Sequence, residues 1–432
     1  MSVTPFDAPL HRDLFGDAEI GRLLSDSAEI RSMLIVLGAL AKAQGEAGLI
    51  PETASAFLHR ATLEVQIDPE GLADRTGQDG VCVPALVEAT RKALEAPEHA
   101  QYLHWGATSQ DVIDTGFTLR LRRVLDVIAE RLDRTLERLA DLAETHAETP
   151  MAARTYGQIA TPTSFGAVVA AWGEGLLAAR AALPDLRQRV EIVTLNGAAG
   201  TLSVMGEAGP EIRAHMARAL GLHVPDRVPH ADRSHVAELA AWLTRLSTAC
   251  GKMATDLLLL TRDGDVRLEG GGGSSTMPQK VNPVGLSVIR ALAQHAIGLN
   301  ASLQSGAMTW DQRDGAAWFA EWLALPQLVQ TAGRAVGLTA ELSVAPDPAR
   351  LRARVDDPSG LIHAEALQFD LAREMSRPEA QARVKELAAE IRSEGGNLIE
   401  TAGRDPGAYA PEAQWGGAPE VARTFARRVR DL

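Results

Sequence analysis

Val236, Leu239, Leu243, Leu246, Cys250, Met253, Leu257 and Leu260 follow one another at alternating steps of three and four. That spacing lays an apolar seam down one side of an α-helix and does not suit a strand, whose faces alternate at every second residue. A second seam, Leu121, Leu125, Ile128, Leu132, Leu136, Leu139 and Leu142, predicts a helix over about 112–148, roughly 50 Å long at about 1.5 Å per residue. A third seam runs through Phe165, Val169, Trp172, Leu176, Ala179 and Leu183, and two more helices are expected over about 284–305 and 317–343. Five such helices predict an all-α chain built as an elongated long-helix bundle. Composition agrees, since aromatic residues make up only 4% of a chain that is 46% hydrophobic, and a core poor in Tyr, Phe and Trp favours helices packed side by side over β-sandwiches.

Breaks in the pattern suggest boundaries. Pro97 and Gly106 close an N-terminal helical region, and Pro346, Pro348 and "DDPSG" at 356–360 mark a joint. The chain therefore divides into an N-terminal helical domain (1–106), a central five-helix bundle (107–345) and a C-terminal helical domain (346–432). Stretches such as "AAWGEGLLAARAAL" and "LLLLTRDG" are apolar on more than one side, and a helix of that kind must bury more than one face. Oligomerisation is the expected outlet; a single large helical monomer is the alternative.

A formal net charge of −13 argues against nucleic acid or an anionic membrane as partner, because both require clustered positive charge. An anionic substrate must then be held by local cations. Cys82 and Cys250 stand far apart, with no metal or redox spacing, and "MSVTPFDAPLHRDLFGDAE" has no apolar core, so a reduced, cytoplasmic chain is expected. The longest apolar stretch, about 164–183, is interrupted by Glu174 and Arg180, so no membrane span is expected.

Three segments carry side chains suited to chemistry. "HWGATSQDVIDTG" at 104–116 places His104, Thr108, Ser109 and Gln110 at the entry to a long helix, where hydroxyls and free N–H groups make an anion site; an ordinary N-cap, with Asp111 complementing the dipole, is the other reading. "ARTYGQIATPTSFG" at 153–166 offers Arg154, Thr155, Tyr156 and Gln158, or else a polar connector. In "GGGGSSTMPQKVNP" at 270–283, glycines lead into Ser274, Ser275, Met277, Lys280 and Asn282, and "TWDQRDGAAWFAEW" follows with Arg313 among aromatics. A glycine arm lets a hydroxyl and a cation close on a small substrate after it binds.

"GSSTMPQKVNP" resembles the signature of the fumarase/aspartase superfamily, GSSxMPxKxNP, at every fixed position, and the other two segments follow that superfamily's blocks in order over roughly 10–345. Within it, "YLHWGATSQDVIDTG", "YGQIATPTSFGA" and "LNGAAGTLSVMG" are most similar to the 3-carboxy-cis,cis-muconate cycloisomerases of protocatechuate breakdown. The resemblance implies a homotetramer whose active sites are shared between chains, a di- or tricarboxylate substrate, and no metal or cofactor. It also implies that Ser274 exchanges a proton with the carbon beside a substrate carboxylate, while Lys280 and Asn282 hold the dianionic aci-carboxylate that results. Donors aimed at charge that exists only during reaction are specific to the transition state.

Many lyases of the superfamily carry a histidine where this chain has Tyr156, and that histidine protonates the departing amine or hydroxyl. A carboxylate, with a pKa near ~4, leaves or attacks without a proton. Tyr156 therefore favours intramolecular lactonisation over a fumarate-releasing lyase such as adenylosuccinate or argininosuccinate lyase, with Tyr156 or His104 still available as an acid.

Overall fold

The seams become helices because each buries most of its apolar side. The computed structural model describes residues 4–270, 272–273, 277 and 280–432. The long helices are Ser109–Thr145, Phe165–Ala181, Ser234–Asp263, Val284–Gly306 and Gly315–Glu341. Every seam residue from Leu121 to Leu139 and from Val236 to Leu260 is buried. The third seam is cut short. It ends at Ala181, and Leu183 opens a separate helix, Leu183–Val190, with Pro184 in its first turn, where the missing N–H costs nothing. Shorter helices, among them Pro348–Val355, Ala364–Leu371, Arg377–Glu394 and Ala418–Arg430, make up the C-terminal region.

The connector reading of 153–164 gives way to a β-hairpin. Pro150–Thr155 pairs antiparallel with Gln158–Ser164 around Tyr156 and Gly157, whose φ values of 50° and 74° are those of the two-residue hairpin turn that matches strand twist.

Two compact units emerge from the packing: residues 1–130, 182–248 and 291–337, and residues 131–181, 249–290 and 338–432. In the first, Met33, Leu37, Leu40, Leu58, Leu86, Leu103, Val112, Leu195 and Met216 form one core. The helix Asp26–Glu46 lies close enough to Glu52–Glu64 that a Cβ on Gly38 would stand 2.2 Å from Thr62 Oγ1. In the second unit, the Ala418–Arg430 helix sets Phe425 against Gly173, where a Cβ would meet the ring at 2.1 Å. By length and composition the stretch Phe165–Val190 is apolar enough to cross a membrane. Here Phe165, Trp172 and Leu176 are fully buried, Glu174 accepts from Arg428 at 2.6 Å and Arg180 from the same helix pairs with Asp133, as in the core helix of a globular unit.

Candidate active site

In the first unit, the chain turns sharply into the Ser109–Thr145 helix, with His104 and Gly106 both in left-handed conformation at φ 65° and 70°. Gln44 fixes that turn by donating to the Trp105 carbonyl at 2.6 Å. His104 is largely buried, and its Nε2 has no partner among the described residues. Burial lowers its pKa below the ordinary imidazole value, only partly offset by its hydrogen bond with the Thr108 backbone and by Asp111, so the ring stays neutral more readily than in water. His104 and Ser109 line one surface hollow together with Arg91.

Asp111 anchors this helix start. It is 1% exposed and accepts backbone N–H groups from Thr108 (2.9 Å), Asn196 (2.7 Å) and Gly197 (3.0 Å), with His230 Nε2 at 2.9 Å. The bond back to Thr108 is the acidic half of a capping box. Its other bonds tie the loop that begins "LNGAAG" to the same helix end. Sequence reasoning gave Asp111 only a dipole role and passed over Asn196 and His230; the Asn-Gly pair was the available turn signal.

Gln110, nominated as a substrate contact, is 1% exposed and faces inward. Its Oε1 accepts from Arg313 Nε at 2.9 Å, and its Nε2 points at Asp114 Oδ2 and the His230 carbonyl, both at 3.4 Å. Beyond it, buried Arg233 donates to Asp114 at 2.7 Å and forks onto Glu321, while Trp318 Nε1 donates to Asp114 at 3.0 Å. Burial opposes the Arg233 charge, but Asp114 and Glu321 outweigh it and raise its pKa. Arg313 itself is half-buried, and its Nη2 has no partner among the described residues.

The remaining nominated residues belong to the second unit. Thr155, Tyr156 and Gln158 are exposed at the hairpin tip. Arg154, expected as a substrate cation, is committed elsewhere: Nη2 lies 2.6 Å from Asp265, a fully buried carboxylate that Arg354 also holds at 2.6 Å. Lys280 and Met277 are exposed and Asn282 is half-buried. Paired backbone bonds between Gly272 and Asn282, at 3.0 and 2.8 Å, close the base of the loop, and Lys280 N–H donates to the Met277 carbonyl at 3.0 Å. A Cβ at Gly272 would meet Val284 at 2.9 Å, which accounts for one glycine of the arm. Ser274 and Ser275 lie outside the described residues.

A family model described as lyase matches residues 20–298. The chain is 37% identical to a 3-carboxy-cis,cis-muconate cycloisomerase of Pseudomonas aeruginosa, over 86% of this chain and 83% of that protein. It is 31% identical to an N-acetyl-S-(2-succino)cysteine lyase of Dickeya dadantii, over 87% and 84%. The crystal structure of a 3-carboxy-cis,cis-muconate lactonizing enzyme from Pseudomonas putida superposes with a TM-score of 0.90 at 30% identity, covering 98% of this chain and 99% of that one.

Proposed function

We propose, for a chain that belongs to the lyase family of the fumarase/aspartase superfamily, that it closes 3-carboxy-cis,cis-muconate to 4-carboxymuconolactone in protocatechuate (β-ketoadipate) degradation. A substrate carboxylate oxygen adds to the ring-closing carbon of the diene. The electron pair moves onto the carbon beside a second carboxylate, giving an aci-carboxylate held by Lys280 and Asn282, and Ser274 delivers the proton that completes the lactone. A dry site with a cation at hand supports such a serine.

Likeness to the cycloisomerases named above supports this reading, and Tyr156 is the observation that carries it over release of an amine or hydroxide: its position in the "ARTYGQ" block offers no imidazolium to a departing group. The second reading, a lyase, is favoured by the likeness to the succinocysteine enzyme. A thiolate, with a pKa of about 8.5, needs less acid help than an amine does. The deciding experiment gives the purified protein 3-carboxy-cis,cis-muconate and, separately, N-acetyl-S-(2-succino)cysteine or adenylosuccinate. Loss of diene absorbance in the first supports the cycloisomerase, and fumarate from the others supports the lyase.

The proposal extends to a cytoplasmic homotetramer with sites shared between chains, each chain organised as the 1–106, 107–345 and 346–432 segments. Exposed apolar side chains at Ile297, Met308, Trp310, Phe319 and Leu323 support association. Thr108, Ser109, Gln158, Lys280, Asn282 and Arg313 are the proposed partners of the substrate's carboxylates.

A further inference from the structure

We infer that Gln110 is a positioning residue which holds the Arg313 guanidinium in place for a substrate carboxylate without neutralising it. This rests on the proposed role of Arg313 in binding a polycarboxylate. At 1% exposed, Gln110 has no surface with which to touch a substrate. Both ends of its carboxamide are specified: the oxygen faces a donor, Arg313 Nε, and the nitrogen faces two acceptors, Asp114 Oδ2 and the His230 carbonyl. The amide therefore has one orientation. Asp114 is itself immobilised between Arg233 and Trp318, and Arg233 is forked onto Glu321. The chain of buried bonds Glu321–Arg233–Asp114–Gln110 thus ends on Arg313 Nε. It leaves the guanidinium's terminal nitrogens for another partner, and Nη2 is buried with none among the described residues.

Buried donors in a folded protein are almost always paired, so this one points to an anionic ligand. The residue that follows Arg313 caps a helix. Asp314 accepts the N–H groups of Ala316 and Ala317 at the start of the Gly315–Glu341 helix, at 3.0 and 3.1 Å. The choice of an amide follows from charge. A carboxylate at position 110 would hold Arg313 equally well, but it would satisfy the cation that a substrate on a chain of net charge −13 needs, and it would stand beside Asp114. A neutral acceptor aligns the guanidinium and leaves its charge to the substrate.

The test is a double-mutant cycle on Gln110→Met, which keeps length and volume but removes both polar ends, and Arg313→Ala. KM and kcat are measured with 3-carboxy-cis,cis-muconate, Kd with the unreactive tricarboxylate tricarballylate by calorimetry, and Tm for all variants. Gln110→Met is expected to raise KM and Kd roughly tenfold with kcat within about threefold of the parent, because the interaction serves ground and transition states alike. Arg313→Ala is expected to raise both constants at least roughly tenfold, and the double variant to rise no further than Arg313→Ala alone. Additive losses would make Gln110 an independent contact and overturn the inference, as would a Gln110→Met variant that loses Tm with KM and Kd unchanged, or an Arg313→Ala variant that binds normally. An enzyme that ignores the muconate yet shows the coupled loss of tricarballylate binding would overturn the proposed reaction and leave the positioning role standing; an enzyme that takes neither would overturn both.

Discussion

In the proposed mechanism, removing the Tyr156 hydroxyl deletes at most one hydrogen bond to the substrate, whereas removing the Ser274 hydroxyl deletes the group that exchanges the carbon-bound proton. Tyr156→Phe is accordingly expected to slow lactonisation by no more than roughly tenfold, and Ser274→Ala by on the order of a thousandfold or more. Initial rates of diene loss on the two purified variants decide it; a Tyr156→Phe enzyme crippled while Ser274→Ala stays active would make the tyrosine the acid and displace the serine. Roles can be proposed at this scale where residue type within a local motif suggests them, as for Lys280 and Asn282. They were not legible where a distant partner decides. Gln110 looks like a substrate-facing amide at a helix start until Arg313, 203 residues later, turns it inward. Arg154 looks like a free cation until Asp265, 111 residues later, claims it.

Helices and hairpin differ in how much of their cause is local. Each long helix announced itself because burial along a seam repeats every three or four residues, and the early stop at Ala181 was readable from Pro184. The hairpin was hidden: "PMAART" lacks a branched, alternating pattern, the alternation of Ile159, Thr161 and Thr163 in "QIATPTS" is broken by Pro162 within the strand, and Tyr156 adopts a left-handed conformation that a turn rarely asks of it. Close approach of helices is equally invisible in one sequence. Gly173 lies inside the Phe165–Ala181 helix, where alanine is ordinarily better by about 1 kcal/mol. Phe425 occupies the space a methyl would take, however, at 2.1 Å, and overpacking costs about 1–3 kcal/mol. Gly173→Ala should therefore lower Tm, and Phe425→Leu in the same chain should recover part of the loss. A rise in Tm for Gly173→Ala alone would show that the two helices are not this close.

Across the whole molecule, burial sets the response to acid. His104, His146, His235 and His363 all lie below the ordinary imidazole value chiefly because burial disfavours the charged ring, most strongly at His235, where Arg233 adds to the effect. Below about pH 6.5 the unfolded chain takes up protons at these rings that the folded chain refuses, so the stability present above that pH is lost as pH falls towards the folded values. Tm measured from about pH 7.5 to 5.5 should fall, and His235→Phe should flatten the slope; a Tm that holds or rises in the wild-type protein would contradict the burial of these rings.

Turnover in deuterium oxide, with products read by proton NMR, tests the central claim most directly. The account predicts 4-carboxymuconolactone from 3-carboxy-cis,cis-muconate carrying one deuterium on the carbon beside the carboxylate, as carboxylate addition followed by protonation from an exchangeable serine requires. An untouched muconate together with fumarate released from a succinyl adduct would contradict it.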